Sequence, residues 1–393
     1  MNIGKDVGRY VGTHVARPAC DVLIVGGGPA GLACAIASAR HGLNVEVIDA
    51  MKPPIDKACG EGLMPDSLQA LAAIGFSDLD RTLRQTENHL LRGIRFLGDT
   101  SPRQPVTTEA AFPQAPGRGI RRTVLHQILL DRAASLGVRF HWENSVQSIA
   151  PTSDGTLVHS NRQTLRARYL IGADGPRSRV AAWAGLTEAS IQSRRIGLRQ
   201  HYTIAPWTDF VEVYWSNAGQ AYVTPNSSTE VCVAFIANKK FSSSDAALAH
   251  FPALRRQLAG SQPNGPARGS ISLGRKLRRV AHRNIALIGD ASGSVDAITG
   301  EGMALCFRQA AALSNALRAN DLNLYQQAHR RIQRLPRRMS RSLLLMDRSP
   351  LIRDSVLRTF ERTPWLFERL LQMHIRHSPL QSFRTEGLHA LTG

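Results

Sequence analysis

The most constraining feature of this chain is one junction. An unbroken apolar run, Asp21-Val22-Leu23-Ile24-Val25, leads directly into Gly26-Gly27-Gly28-Pro29-Ala30-Gly31. An apolar run without polar alternation suits a parallel strand covered on both faces. The pattern predicts a helix over Leu32–His41, stopped by Gly42, and a second strand over Asn44–Asp49. That is a strand–helix–strand unit with a right-handed crossover. Gly26 allows a tight turn, Gly28 admits a pyrophosphate close to the backbone, and Gly31 lets the helix approach the sheet. Ala30, inside the turn, is a fourth candidate contact. The helix N-terminus offers free N–H groups to phosphate, and Asp49 stands where an adenosine ribose would be bound. A dinucleotide site is therefore expected.

Composition limits the rest. A chain of 393 residues, 43% hydrophobic and 20% charged, is globular and too long for one ordinary core. No run reaches the roughly 18 apolar residues of a membrane span. Met1–Pro18 lacks the apolar segment of a secretory signal, so the expectation is a cytoplasmic protein. The net charge of +19 comes from arginines scattered along the chain without a nucleic-acid-binding motif, which argues against nucleic acid as a partner. The five cysteines show no C-x-x-C spacing, so neither a metal site nor a disulfide framework is expected. Cys34 and Cys306 fit apolar helical patterns. Cys59 lies in a glycine-rich loop and is a candidate for touching a ligand.

Helices are expected over Pro65–Ile74, Arg122–Leu136 and Gly302–Leu317. Strands are expected over Gly93–Leu97, Val138–Trp142, Arg168–Ile171 and Ile285–Ile288, and Pro102–Gly119 reads as loop. Between them, Ile196–Ile204, Phe210–Trp215, Gln220–Thr224 and Val231–Ile236 are short, β-branched and aromatic, with turn signals between them: an antiparallel sheet. The fold class is thus α/β, with a Rossmann-like parallel-sheet domain, an antiparallel substrate domain and a C-terminal helical extension. The expected boundaries are 18–84, 115–185 and 276–320 for the first, 85–114 and 186–275 for the second, and 321–393 for the extension. Pro350 and Pro364 should divide that extension into separate helices. Its alternating arginines and leucines suit either packing on the body or peripheral contact with a membrane surface.

Two further glycine turns follow apolar strands. Gly172-Ala173-Asp174-Gly175-Pro176-Arg177-Ser178 carries an acid. Gly289-Asp290-Ala291-Ser292-Gly293 leads through Asp296-Ala297-Ile298 to Thr299-Gly300-Glu301-Gly302 and a helix. A carboxylate at a strand end can bind a polyol, and a helix N-terminus can stabilise charge developing on a flat ring.

Together the three turns, over Asp21–Leu317, resemble the FAD-dependent aromatic hydroxylases (group A monooxygenases) and the related geranylgeranyl reductases. The resemblance implies FAD, with NADPH or NADH as reductant. It implies that Gly26, Gly28, Ala30, Gly31 and Asp49 hold the ADP half, and that Asp174 and Gly175 lie near the pyrophosphate. Asp290 would hold the ribityl chain, Gly300 and Gly302 would lie against the ring, and Arg122, with Arg121 as its rival, would open a helix beside the flavin. The main expectation is hydroxylation of a hydrophobic aromatic or polyketide-like substrate. The alternative is reduction of isoprenoid double bonds, because Cys59-Gly60-Glu61-Gly62 and Thr299-Gly300-Glu301-Gly302 look like geranylgeranyl reductase loops. Asp296-Ala297-Ile298 also replaces the hydroxylases' usual proline. The flavin halogenases' Trp motif is missing, and arginines (Arg92, Arg95) stand where their lysine would be sought. A non-enzymatic dinucleotide sensor or membrane-surface protein is the third reading. Catalytic candidates are Tyr222, His201 and Glu61.

Overall fold

The computed structural model describes residues 20–76, 78–98 and 106–376. The expectations for Met1–Pro18 and for the chain beyond 376 lie outside the described residues. The first sheet runs in the order Ala281–His282, Ile285–Leu287, Thr164–Gly172, Cys20–Val25, Val45–Ile48, Arg139–His141. All neighbours are parallel except the first pair. Val22, Leu23 and Ile24 have no exposed surface, as a strand covered by helices on both faces requires. Helix Pro29–Ala39 packs against Arg122–Ser135 and Gly302–Arg318. A hairpin, Val146–Pro151 with Thr156–Ser160, adds to Thr164–Gly172.

The second sheet has seven strands in the order Gln262–Leu277, Ala189–Thr203, Glu230–Ala237, Gly219–Pro225, Phe210–Ser216, Gly93–Gly98, Val106–Ala111. Two strands differ from the sequence reading. Val106–Ala111, inside the expected loop, pairs antiparallel with Gly93–Gly98, with Thr108 and Ala110 turned inward and their neighbours outward. Gln262–Leu277 pairs along almost the whole length of Ala189–Thr203. Its Pro263, Gly265 and Pro266 are tolerated because it is an edge strand, where one row of N–H groups needs no partner.

Side chains alternate across this sheet. On one face Tyr202, Tyr214, Val223, Val233 and Phe235 form a core with Phe251 and Leu254. On the other, Val213, Trp215 and partly buried Tyr222 meet Ile298, Leu344 and Leu357. Helices Leu322–Arg348, Pro350–Arg362 and Pro364–Arg376 cover that second face. Pro350 and Pro364 open new helices, positions where a missing N–H costs nothing. Buried arginines dock the layer. Arg195 donates to Asp347 at 3.0 Å and to Gln220 at 2.6 Å, and Arg353 donates to the Ser216 carbonyl at 3.0 Å.

Candidate functional site

The three glycine turns converge at the C-terminal ends of Cys20–Val25, Thr164–Gly172 and Ile285–Leu287, side by side in one parallel sheet. Close packing dictates the glycines of the first turn. A Cβ on Gly31 would lie 1.9 Å from the Gly26 carbonyl oxygen, and one on Gly26, at φ +112°, 2.4 Å from that of Ala173. Gly28 is different, because its Cβ would meet nothing nearer than the Arg122 guanidinium at 4.0 Å. The N-terminus of helix Pro29–Ala39 therefore opens onto free space.

Around that space stand groups that lack protein partners. The Nε of Arg122 is buried and unbonded. Asp290 is solvent-accessible, yet protein crowds it enough that desolvation raises its carboxyl above the aspartate range, against the pull of Arg122, Lys57 and Arg275. A polar side chain in this condition lines a cleft. Gly300, at φ +68°, and Gly302, at the start of Gly302–Arg318, both have open space where a side chain would be. The two arginines point different ways. Arg121 is paired with Glu230 on the second sheet at 2.7 Å, while Arg122 turns to the Gly28 end of the cleft.

Two acids are more occupied than their motifs suggest. Asp49 accepts from the Gly27 N–H at 2.7 Å and the Met51 N–H at 2.8 Å, leaving one lone pair per oxygen for a ligand. Asp174 accepts from Ser178, the N-cap of helix Arg179–Trp183, at 2.6 Å and from the Arg179 N–H at 2.7 Å, so it braces that helix start and shapes its own loop. Gly175, at φ +85°, has open space beside it. His126, which sequence reasoning missed, bonds to the Gly27 carbonyl at 2.8 Å and steadies the first turn. Burial lowers its imidazole below the usual range.

Two of the three catalytic candidates meet where the loop before Gly62 packs on the second sheet, and Tyr222 stands apart from them against Ile298. Glu61, 1% exposed and at φ +60°, accepts from the Arg122 N–H at 3.1 Å and lies 2.6 Å from His201 Nε2, with Asn226 as a third donor. Arg199 donates to His201 Nδ1 at 2.9 Å and to Asp56. An arginine can only donate, so His201 accepts at Nδ1 and donates from Nε2 to Glu61. The ligand atoms of Glu61, His201 and Cys232 lie within 4.8 Å of one another, but the Arg199 guanidinium places positive charge where a cation would sit. Tyr222 donates to the Ile298 carbonyl at 2.6 Å, tying the second sheet to the loop before Gly300, and burial raises its phenol well above its ordinary value.

A second unforeseen group lies beyond Gly300. Glu301 is 5% exposed, its Oε2 has no partner, and its Oε1 is 3.5 Å from His374 Nδ1. His374 also faces Met339 at 3.1 Å, and the neighbouring Asp66 and Arg308 pair at 2.6 Å. Burial, and then Asp66, push the Glu301 carboxyl up to about 8, so it carries a proton at neutral pH. Burial lowers the His374 imidazole. The only signal for this pair in the sequence was the acid between two glycines.

The family model described as FAD binding domain matches residues 19–320. Menaquinone reductase of Mycolicibacterium smegmatis is 31% identical over 304 residues, 72% of each chain. Digeranylgeranylglycerophospholipid reductase 2 of Methanosphaera stadtmanae is 26% identical over 301 residues, 72% of this chain and 74% of the relative. The crystal structure of p-nitrophenol 4-monooxygenase PnpA from Pseudomonas putida DLL-E4 superposes with a TM-score of 0.77 at 16% identity, covering 90% of this chain and 96% of that one, which is a likeness of fold. The glycine cleft and these matches agree: the chain belongs to the FAD binding domain family and is an FAD-dependent oxidoreductase.

Proposed function

We propose that this enzyme reduces a carbon–carbon double bond in an isoprenoid lipid, using NADPH or NADH as reductant. Gly26, Gly28, Ala30, Gly31 and Asp49 hold the ADP half of FAD, with Asp174 and Gly175 shaping the loop beside it. Arg122 and Asp290 hold its middle, and Gly300 and Gly302 face the ring. The fit rests on the open space at Gly28, Gly300 and Gly302 and on the unbonded Arg122 Nε. Bound there, FAD supplies a hydride donor.

The observation that carries the reading is the apolar layer between the second sheet and the C-terminal helices. Ile94, Phe96 and Val211 face Phe360, Phe367 and Leu371 there, and the titratable pair Glu301–His374 borders the layer. The layer is packed, with the Phe96 and Phe367 ring centroids 4.9 Å apart, so a long apolar chain would enter it as the helices part from the sheet, and water would be excluded there. When hydride adds to one alkene carbon, the other needs a proton. Glu301, protonated at neutral pH beside Gly300, is suited to give it from its carboxyl oxygen. Tyr222 holds the Ile298 carbonyl so that the loop carrying Glu301 keeps its place. The reductases matched along 72% of this chain are named for menaquinone and a digeranylgeranyl lipid, both isoprenoid, which supports the same reading. Among the described residues no helix is long and apolar enough to cross a membrane.

Hydroxylation of a hydrophobic aromatic substrate is the second reading, favoured by the glycine turn at Asp174-Gly175 beside the first cofactor turn. Incubation with NADPH or NADH and a polyprenyl lipid, with and without O₂, separates the two. Reduction gives a product heavier by two hydrogens in the absence of O₂. A product carrying one oxygen atom from O₂, formed only aerobically, would overturn it in favour of hydroxylation.

A further inference from the structure

Helix Pro364–Arg376 buries one apolar stripe and exposes further large apolar side chains outside it. At about 100° per residue, Phe367, Leu371 and Ile375 fall on one stripe. Each is 5% exposed and packed on the second sheet beside Leu91 and Val211. Trp365, Leu370 and Met373 lie outside that stripe, about 100–160° round the helix from its centre, and are 60%, 38% and 44% exposed. A helix that only roofed the sheet would place polar residues there. The first turn of the preceding helix adds Leu351, 82% exposed, and Ile352, and the turn before it adds Leu345, 53% exposed. Large apolar side chains exposed together mark a docking surface rather than chance exposure.

The charge around these side chains names the partner. Arg348, Arg358, Arg362 and Arg369 are exposed on the same segments, against two exposed acids, Glu361 and Glu368. Helix Leu322–Arg348 contributes further exposed arginines, among them Arg334, Arg338 and Arg341. Tryptophan and leucine flanked by arginine is the composition of a helix lying in the headgroup region of an anionic bilayer.

We infer that Leu351, Trp365, Leu370 and Met373, with the arginines beside them, seat the enzyme on an anionic phospholipid surface. On the same helix, lipid contact lies outside and the roof of the substrate layer lies inside. A prenyl chain leaving the bilayer therefore meets the reaction layer after crossing a single helix. This inference rests on the proposed isoprenoid reading for its purpose, but its test needs no turnover.

The FAD-loaded full-length enzyme is floated with phosphatidylglycerol vesicles and with phosphatidylcholine vesicles, at low and high salt. Strong flotation with the anionic vesicles, weakened at least ten-fold by salt, is expected. Leu351→Asp combined with Trp365→Asp should abolish it while flavin content and melting temperature stay as in the parent. Brominated lipid should quench part of the tryptophan emission, and that part should disappear in Trp365→Phe. Equal flotation with both vesicles, flotation unchanged in the double variant, or no quenching at Trp365 would each overturn the inference. So would a dimer in solution that the double variant dissolves, because the patch would then be covered by a second copy. Loss of reductase activity with vesicle binding intact would count against the isoprenoid reading alone.

Discussion

The two ends of this molecule treat their polar groups in opposite ways. At the glycine cleft, Arg122 keeps an unbonded Nε, Asp290 is exposed, and Gly28, Gly300 and Gly302 border open space. Under the second sheet, Glu61, His201, Arg199 and Asp56 bond to one another in a buried chain that leaves only the Arg199 Nε over and no open space beside it. Both contain buried or crowded charge, but only the first is incomplete without a ligand. The lesson is that density of charged residues does not locate a binding site; open space beside groups with bonds still to make does.

The strongest way to break this contrast is Gly31→Val. The new side chain cannot avoid the Gly26 carbonyl, so the expected result is a chain that does not fold, seen as loss of cooperative melting. A folded, flavin-bearing variant would refute the packing argument. Next, Glu61→Ala strips three donors of their acceptor and should cost about 3–5 kcal/mol in denaturant unfolding. Asp290→Ala should instead leave the apoprotein as stable or more so, because it removes a crowded carboxyl, yet weaken FAD binding at least about ten-fold. If the two variants exchanged these behaviours, the comparison would be wrong. His201→Ala should destabilise without lowering the flavin content of the folded fraction.

Glu301 sharpens the comparison through pH. Its folded value of about 8 exceeds the ordinary 4.5, so between those values the folded chain holds a proton that the unfolded chain has released. Its stabilising contribution is complete below about 4.5 and is lost as pH rises to about 8, at up to about 1.4 kcal/mol per pH unit. Glu301→Gln should flatten the fall of melting temperature across that window, and an unchanged pH profile would contradict the assignment. The smallest effect expected is Tyr222→Phe, about 1 kcal/mol for one lost hydrogen bond to Ile298, measured by thermal unfolding.

Local physics made the cleft legible in the sequence. An apolar strand followed by a glycine turn and a helix states its purpose within a dozen residues, and it does so three times. The Glu61–His201 contact had no such signal. The partners are 140 positions apart, and His201 stands at a register shift in the pairing of Ala189–Thr203 with the edge strand. That edge strand was itself hidden, since Gln262–Leu277 carries prolines and glycines and is mostly exposed, so neither period nor propensity reveals it. Glu301 and His374 were invisible for the same reason: an acid in a loop and a histidine in a basic helix acquire meaning only when helix Pro364–Arg376 folds back.

The order of strands in the parallel sheet also sets a timetable. Cys20–Val25 and Val45–Ile48 leave the ribosome early, but Ile285–Leu287, which carries Asp290 to the cleft, emerges after the whole second sheet has been synthesised. A nascent chain thus owns one wall of its coenzyme pocket long before the other. Capture of the flavin becomes a late, post-assembly event that can report, in the cell, that the entire fold has closed correctly.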